Sequence, residues 1–79
     1  MRLDKYLKVS RLIKRRTVAN EVCDAKRVTV NGKIQRASYD VKVNDIIEIQ
    51  LGERIIKVQV LVVTEHANKD DAVLMYKLL

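Results

Sequence analysis

Proline, phenylalanine and tryptophan are absent from this 79-residue chain, which has only two glycines, three tyrosines, one histidine and one cysteine. Each scarcity excludes something. Three Tyr as the only aromatics argue against the rows of stacking platforms that hold splayed single-stranded bases. The lone Cys23 excludes an internal disulfide and fits a reducing compartment. Together Cys23 and His66 supply too few ligands for a metal site, and a Cys without a neighbouring His has no nucleophile–base pairing. Gly32 and Gly52 cannot build a glycine-rich phosphate loop. Apolar runs such as Val60–Val63 are far too short to cross a bilayer, and basic residues break up every apolar run at the start of the chain. Neither a membrane partner nor a signal peptide is expected, and the cytoplasm is the expected location.

What the chain does have is apolar residues, 48% of the total, and a formal net charge of +6. The first suffices for one small folded domain over residues 1–79, without room for a deep catalytic cleft. The charge is unevenly placed. Arg2, Lys5, Lys8, Arg11, Lys14, Arg15 and Arg16 face a single acid, Asp4, within the first sixteen residues, while bases and acids balance in the rest. Clustered cations of this kind point to a polyanionic partner, through counterion release and fast encounter.

The basic segment has helical period. Leu3, Tyr6 and Leu7 fall on one side of a helix from Arg2 to Lys8, with Arg2, Lys5 and Lys8 opposite, so the cations form the outer face of a folded element. A second helix is predicted from about Arg16 to Ala25, with Val18, Ala19, Val22, Cys23 and Ala25 inward. Val28 and Val30 then alternate with polar residues and lead into Asn31-Gly32, the strongest short hairpin signal. Strands follow at about Ile46–Leu51, Ile55–Val63 and Val73–Leu78, with turns at Asn44-Asp45 and Gly52-Glu53. Thr64–Asp71, including His66 and Asp70-Asp71, reads as a solvated loop. The expected fold class is α+β: two short helices laid on a small, mostly antiparallel sheet.

Arg2-Leu3-Asp4-Lys5-Tyr6-Leu7, Arg16-Thr17-Val18-Ala19, Val28-Thr29-Val30-Asn31-Gly32, Ala37-Ser38-Tyr39-Asp40-Val41 and Asp45-Ile46-Ile47 resemble, in order and spacing, the RNA-binding domain named after ribosomal small-subunit protein four. Its core, the alpha-L motif, would cover about residues 2–51, with further strands over about 55–78. Within that family the chain is most similar to the heat-shock-fifteen-related group and its ribosome quality-control members. The resemblance implies ribosomal RNA and tRNA on obstructed large ribosomal subunits as partners. It also implies assistance to the factor RqcH in adding alanine tails to stalled chains. No enzymatic activity, small-molecule substrate or cofactor is implied, and the chain is expected to be a monomer. Four positions depart from the family pattern. Lys26 stands where Gly is common, so a left-handed helix end is either formed by a non-glycine residue or avoided. Arg15 stands for a frequent Ser, Ala37 for a common Pro and Asn44 for a common Gly.

The RNA contacts expected on these grounds are Arg2, Lys5, Lys8, Arg11, Lys14, Arg15 and Arg16, joined by Thr17 and Asn20 on the second helix. Arg27, Lys33 and Arg36 flank the hairpin and would extend the patch. Arg16 ranks first: at a helix N-terminus backbone N–H groups already favour a phosphate, which a guanidinium grips bidentately. Arg2 ranks second. Asp4 is expected to orient an arginine such as Arg16 or Arg11, and Cys23 to be a small core residue. Few groups are left to read base edges, so recognition should follow RNA architecture. The rival readings are a general ribosome-assembly or heat-shock factor on ribosomal RNA, and a DNA-binding helix-turn-helix. A protein-binding role for the C-terminal half is compatible with any of them.

Overall fold

The computed structural model describes residues 1–79. Helix α1 spans Leu3–Val9 and α2 Arg16–Asp24; β1 (Val28–Val30) and β2 (Lys33–Ile34) form a hairpin. Strands β3 (Ile46–Leu51) and β4 (Arg54–Val60), a short α3 (Lys69–Ala72) and β5 (Tyr76–Leu78) complete the chain. The sheet runs β2-β1-β3-β4-β5, antiparallel throughout.

The helices exist because the sheet gives their apolar stripes somewhere to go; neither is long enough to be stable alone. Leu3, Tyr6 and Leu7 of α1 are fully buried, as is Ala19 of α2, with Cys23 one turn later nearly so. They join Val28, Val30, Ile47, Ile49, Val58 and Val60 of the sheet in one core cluster. The register explains the selection: Val30 lies opposite Ile47 and Ile47 opposite Val58, so every second residue faces the helices. The buried Tyr6 hydroxyl donates to the Met75 carbonyl at 2.7 Å, tying α1 to the segment before β5. Burial, with a smaller push from Tyr76, raises its pKa far above the ordinary value.

The hairpin forms at Asn31-Gly32, both with positive φ (53° and 83°) as the type I′ turn requires. Asn44 also takes positive φ, at 76°. At the end of α2 the left-handed cap is made by Lys26 at φ 61°. Its N–H donates to the Cys23 carbonyl, and that of Arg27 to the Val22 carbonyl, the bond pair of a Schellman motif.

Three boundary readings and one burial reading are corrected. Strand β4 stops at Val60, not Val63, because the N–H groups of Leu61 and Val62 turn away to the Met75 carbonyl. Residues 64–71 are not all loop: Lys69–Ala72 is helical. The Asn68 side chain accepts from the Asp71 N–H at 2.8 Å, and Asp70 and Asp71 sit where the helix dipole favours acids. The last strand accordingly begins at Tyr76 rather than Val73. On α2 only the Ala19–Cys23 stripe is buried; Val22 is half-buried, while Val18 and Ala25 are exposed.

Candidate nucleic-acid interface

The start of α1 is enclosed by the chain. Arg2 is extended, and the N–H groups of Leu3 and Asp4 donate to the carbonyls of Tyr39 (2.8 Å) and Ala37 (3.2 Å). The Met1 ammonium donates to Asp40 at 2.6 Å, and the Met1 carbonyl accepts from Val41. Segment 37–41 is itself anchored by Asp45. This mostly buried carboxylate accepts from the Tyr39 hydroxyl (2.9 Å), the Asn31 amide (3.0 Å) and the Lys42 N–H (2.9 Å). Asn31 in turn accepts from the Ile46 N–H. One polar network thus links the hairpin turn, the 37–41 segment and the place where Arg2 leaves the backbone.

Asp4 is the second anchor. Its side chain is only 3% exposed, yet it is ionised in the midst of donors. Arg2 Nε and Nη2 reach Oδ1 and Oδ2 at 3.1 and 3.4 Å, Arg16 Nε reaches Oδ2 at 3.4 Å, and Asn20 Nδ2 reaches Oδ2 at 3.3 Å. The Lys5 N–H adds a bond at 2.9 Å. Burial opposes ionisation, but the bonds from Asn20, Arg2 and Lys5 and the field of Arg16 outweigh it and hold the carboxyl below its ordinary value. The effect is to bring two arginines from separate helices to one point. Each keeps about half of its side chain exposed, and both terminal nitrogens of Arg16 stay unpartnered within the chain.

Helix α2 opens differently. Arg15 at its N-cap makes no side-chain capping bond, and the N–H groups of Arg16, Thr17 and Val18 have no acceptor in the protein. Arg15, Arg16 and Thr17 are all exposed. Three unpaired amide donors at the positive end of a helix, beside two half-exposed guanidinium groups, match the needs of a phosphate oxygen.

The remaining cations divide. Lys8, Arg11 and Lys14 gather at the corner between α1 and α2 and form one wall of a concave cleft, whose other wall carries Glu65, His66 and Asp71. Lys5 is half-buried and engaged by Glu65 at 3.4 Å. Arg27 and Lys33 are exposed but line neither this cleft nor the groove beside α2. Arg36 lines that groove together with Arg2 and Asn20. Asn20 is thereby placed beside the arginines, but its amide nitrogen is committed to Asp4.

Two features escaped the sequence reading. Lys26 joins the groove beside α2, and the only sign of it was a cation at a position where a helix end favours Gly. Asp4 is a buried hub rather than a surface acid; its Arg16 partner was anticipated, Arg2 and Asn20 were not, and Arg11 is not a partner. No set of three or more His, Cys, Asp or Glu side chains is placed to hold a metal ion. Cys23 is buried, and burial, with the fields of Asp4 and Asp24, pushes its thiol up to about 11, which leaves it protonated near neutrality.

The S4 domain matches residues 1–47. The chain is 53% identical over 79 residues to the RQC P-site tRNA stabilizing factor of Streptococcus pneumoniae, covering 100% of this chain and 90% of that protein. It is 48% identical over 79 residues to the factor of the same name from Bacillus subtilis, covering 100% and 92%. Among solved structures, trimeric heat shock protein 15 of Vibrio cholerae superposes with a TM-score of 0.92 at 22% identity, covering 100% of this chain and 81% of that one, a likeness of fold. The solution structure of the hypothetical protein HP1423 gives 0.84 at 30% identity, covering 100% and 96%. With an S4 match over more than half its length and relatives near 50% identity along all of it, the chain belongs to the S4-domain family of RQC P-site tRNA stabilizing factors.

Proposed function

We propose that this protein is a non-enzymatic RNA-binding factor of ribosome quality control. It binds tRNA and ribosomal RNA on large subunits that carry an obstructed nascent chain, and so assists RqcH in adding alanine tails. It acts in the cytoplasm, as a monomer, through one RNA-binding domain spanning residues 1–79. The observation that carries this reading is the pair Arg2 and Arg16, drawn together on the buried Asp4 carboxylate beside the uncapped start of α2. Such a site grips phosphates converging from folded RNA, because its donors are fixed in place before the ligand arrives. Lys8, Arg11, Lys14, Arg15 and Thr17 extend it along the α1–α2 corner, with Lys5, Asn20, Arg27 and Lys33 at its margins.

A DNA-reading helix-turn-helix is disfavoured by what α2 presents. Its exposed face carries Glu21 and Asp24, which repel a phosphate backbone, and its Asn20 amide is already bonded to Asp4. The test is cosedimentation with ribosomal particles from a lysate, with duplex DNA as competitor. Migration with free large subunits that retain peptidyl-tRNA is expected. Migration with small subunits alone, or loss to competing DNA, would overturn the reading. Migration with large subunits lacking tRNA would point instead to ribosome assembly.

A further inference from the structure

Four non-glycine residues have positive φ. Two are Asn31 and Asn44, and Asn tolerates that conformation. The other two are Arg11 (φ 63°) and Lys26 (φ 61°), each just beyond the end of a helix, where glycine is the favoured residue. A side chain there strains the backbone, and neither Arg11 nor Lys26 forms an ion pair within the fold. Each lines a concavity. Arg11 already belongs to the basic corner; Lys26 lines a separate groove at the end of α2.

The groove that Lys26 lines measures about 760 Å³ and lies between the C-terminal end of α2 and residues 34–39. It is layered. Its floor holds the buried Cys23 and Ala37. Gln35 and Ser38 supply amide and hydroxyl groups whose side chains bond to nothing else in the chain. Lys26 and Arg36, with Arg2 paired to Asp4, bring cations against the one lining acid, Asp24. Tyr39 also lines it, its hydroxyl held by Asp45 at 2.9 Å, so the ring is fixed in place. An apolar floor, hydrogen-bonding groups beside it and cations around it complement a single nucleotide: flat faces, a polar edge and a phosphate. A paired base would have to be unstacked and unpaired before it could enter, a cost that an unpaired one does not incur.

We propose that the groove between α2 and residues 34–39 receives one unpaired nucleotide of the bound RNA, with Lys26 on its phosphate and Gln35 at the edge of its base. This rests on the RNA-binding reading above and adds to it a preference for RNA with an extruded nucleotide. The test compares two RNA stem-loops that differ only in one bulged nucleotide. The parent protein should bind the bulged RNA about tenfold more tightly, the scale of one stacked and held base. Lys26→Gly and Gln35→Ala should lose most of that preference, and Lys26→Asn, which keeps a residue tolerant of positive φ, should lose it too. Lys26→Gly should melt no lower than the parent, since glycine relieves the strain. Arg16→Ala should weaken both complexes alike and leave the preference intact. Equal binding of the two RNAs by the parent, or a preference that survives both Lys26→Gly and Gln35→Ala, would overturn the proposal. Binding of neither RNA would overturn the RNA-binding reading beneath it.

Discussion

The two N-terminal helices begin in opposite ways. The first N–H groups of α1 are spent on the carbonyls of Tyr39 and Ala37 and on Asp4, so its positive end is closed by the protein. Those of α2 are left unpaired beneath exposed Arg15, Arg16 and Thr17. The difference teaches that the charge of the first sixteen residues is not used uniformly. The start of α1 is spent on holding Arg2 in place, while the start of α2 stays open, as the proposed RNA contact requires. Asp4 joins them, being at once an acid in the first turn of α1 and the anchor of Arg16 from α2.

The largest expected effect comes from removing the ligand-facing side of this contrast. Arg16→Ala should weaken binding to large ribosomal subunits by roughly tenfold or more, the scale of a lost charge-assisted phosphate contact, and lower the salt slope by about one. Filter binding across a salt series measures both. Arg2→Ala should act in the same direction to a smaller extent, since the start of α1 stays closed by backbone bonds.

Asp4→Asn attacks the joint between the two helices. It should cost about 1–2 kcal/mol of stability, less than a fully buried pair because both arginines are half exposed. It should also change the response to acid. The folded-state value of the Asp4 carboxyl lies below the ordinary 3.8. Its contribution is therefore complete above the ordinary value and lost as the pH falls through the lower folded one. Denaturant titrations from pH 6 to pH 2 should show a shallower acid limb in the Asn variant, with Asp40, also held low by the Met1 ammonium, keeping part of the slope.

Tyr39→Phe reaches the closed end from behind by removing the hydroxyl bond to Asp45. A loss of about 1 kcal/mol in chemical denaturation is expected, with RNA affinity reduced far less than by Arg16→Ala. The smallest effect belongs to Glu65→Gln. It releases half-buried Lys5 from an exposed partner and should change stability by less than about 0.5 kcal/mol. Cys23 offers a control on all variants. With its thiol pushed up to about 11 and buried, it should resist alkylation at neutral pH until the fold opens, so labelling rates report intactness.

How much of this could be read beforehand follows from the range of the interactions. The helices at the N-terminus and the Asn31-Gly32 hairpin were legible because periodicity and turn chemistry are local. The alternation of Val28 and Val30 with polar residues marked β1, and the turns at Asn44-Asp45 and Gly52-Glu53 bracketed β3, whereas the register between strands came only from the structure. Helix α3 was missed because its signal is one capping Asn68 and four residues, short enough to pass for a polar loop. Val18 was placed inward because α2 looked evenly apolar on one side, whereas the sheet covers only the stripe through Ala19 and Cys23. At the site, the list of cations could be written from charge alone. Their grouping could be read only in part: the Asp4–Arg16 pairing was legible, but the sharing of that carboxylate with Arg2 and Asn20, and the meeting of Lys26 with Arg36 and Arg2, depend on how α2 packs against α1 and residues 34–39.

On the proposed function, Asp4 serves RNA binding by aligning Arg2 and Arg16 at the open start of α2. A double-mutant cycle on binding to large subunits that retain peptidyl-tRNA, using Asp4→Asn and Arg16→Ala in matched salt, tests it most directly. The double variant should lose distinctly less than the sum of the two single losses, because Asp4 has less to align once Arg16 is gone. Losses that add in full would contradict it.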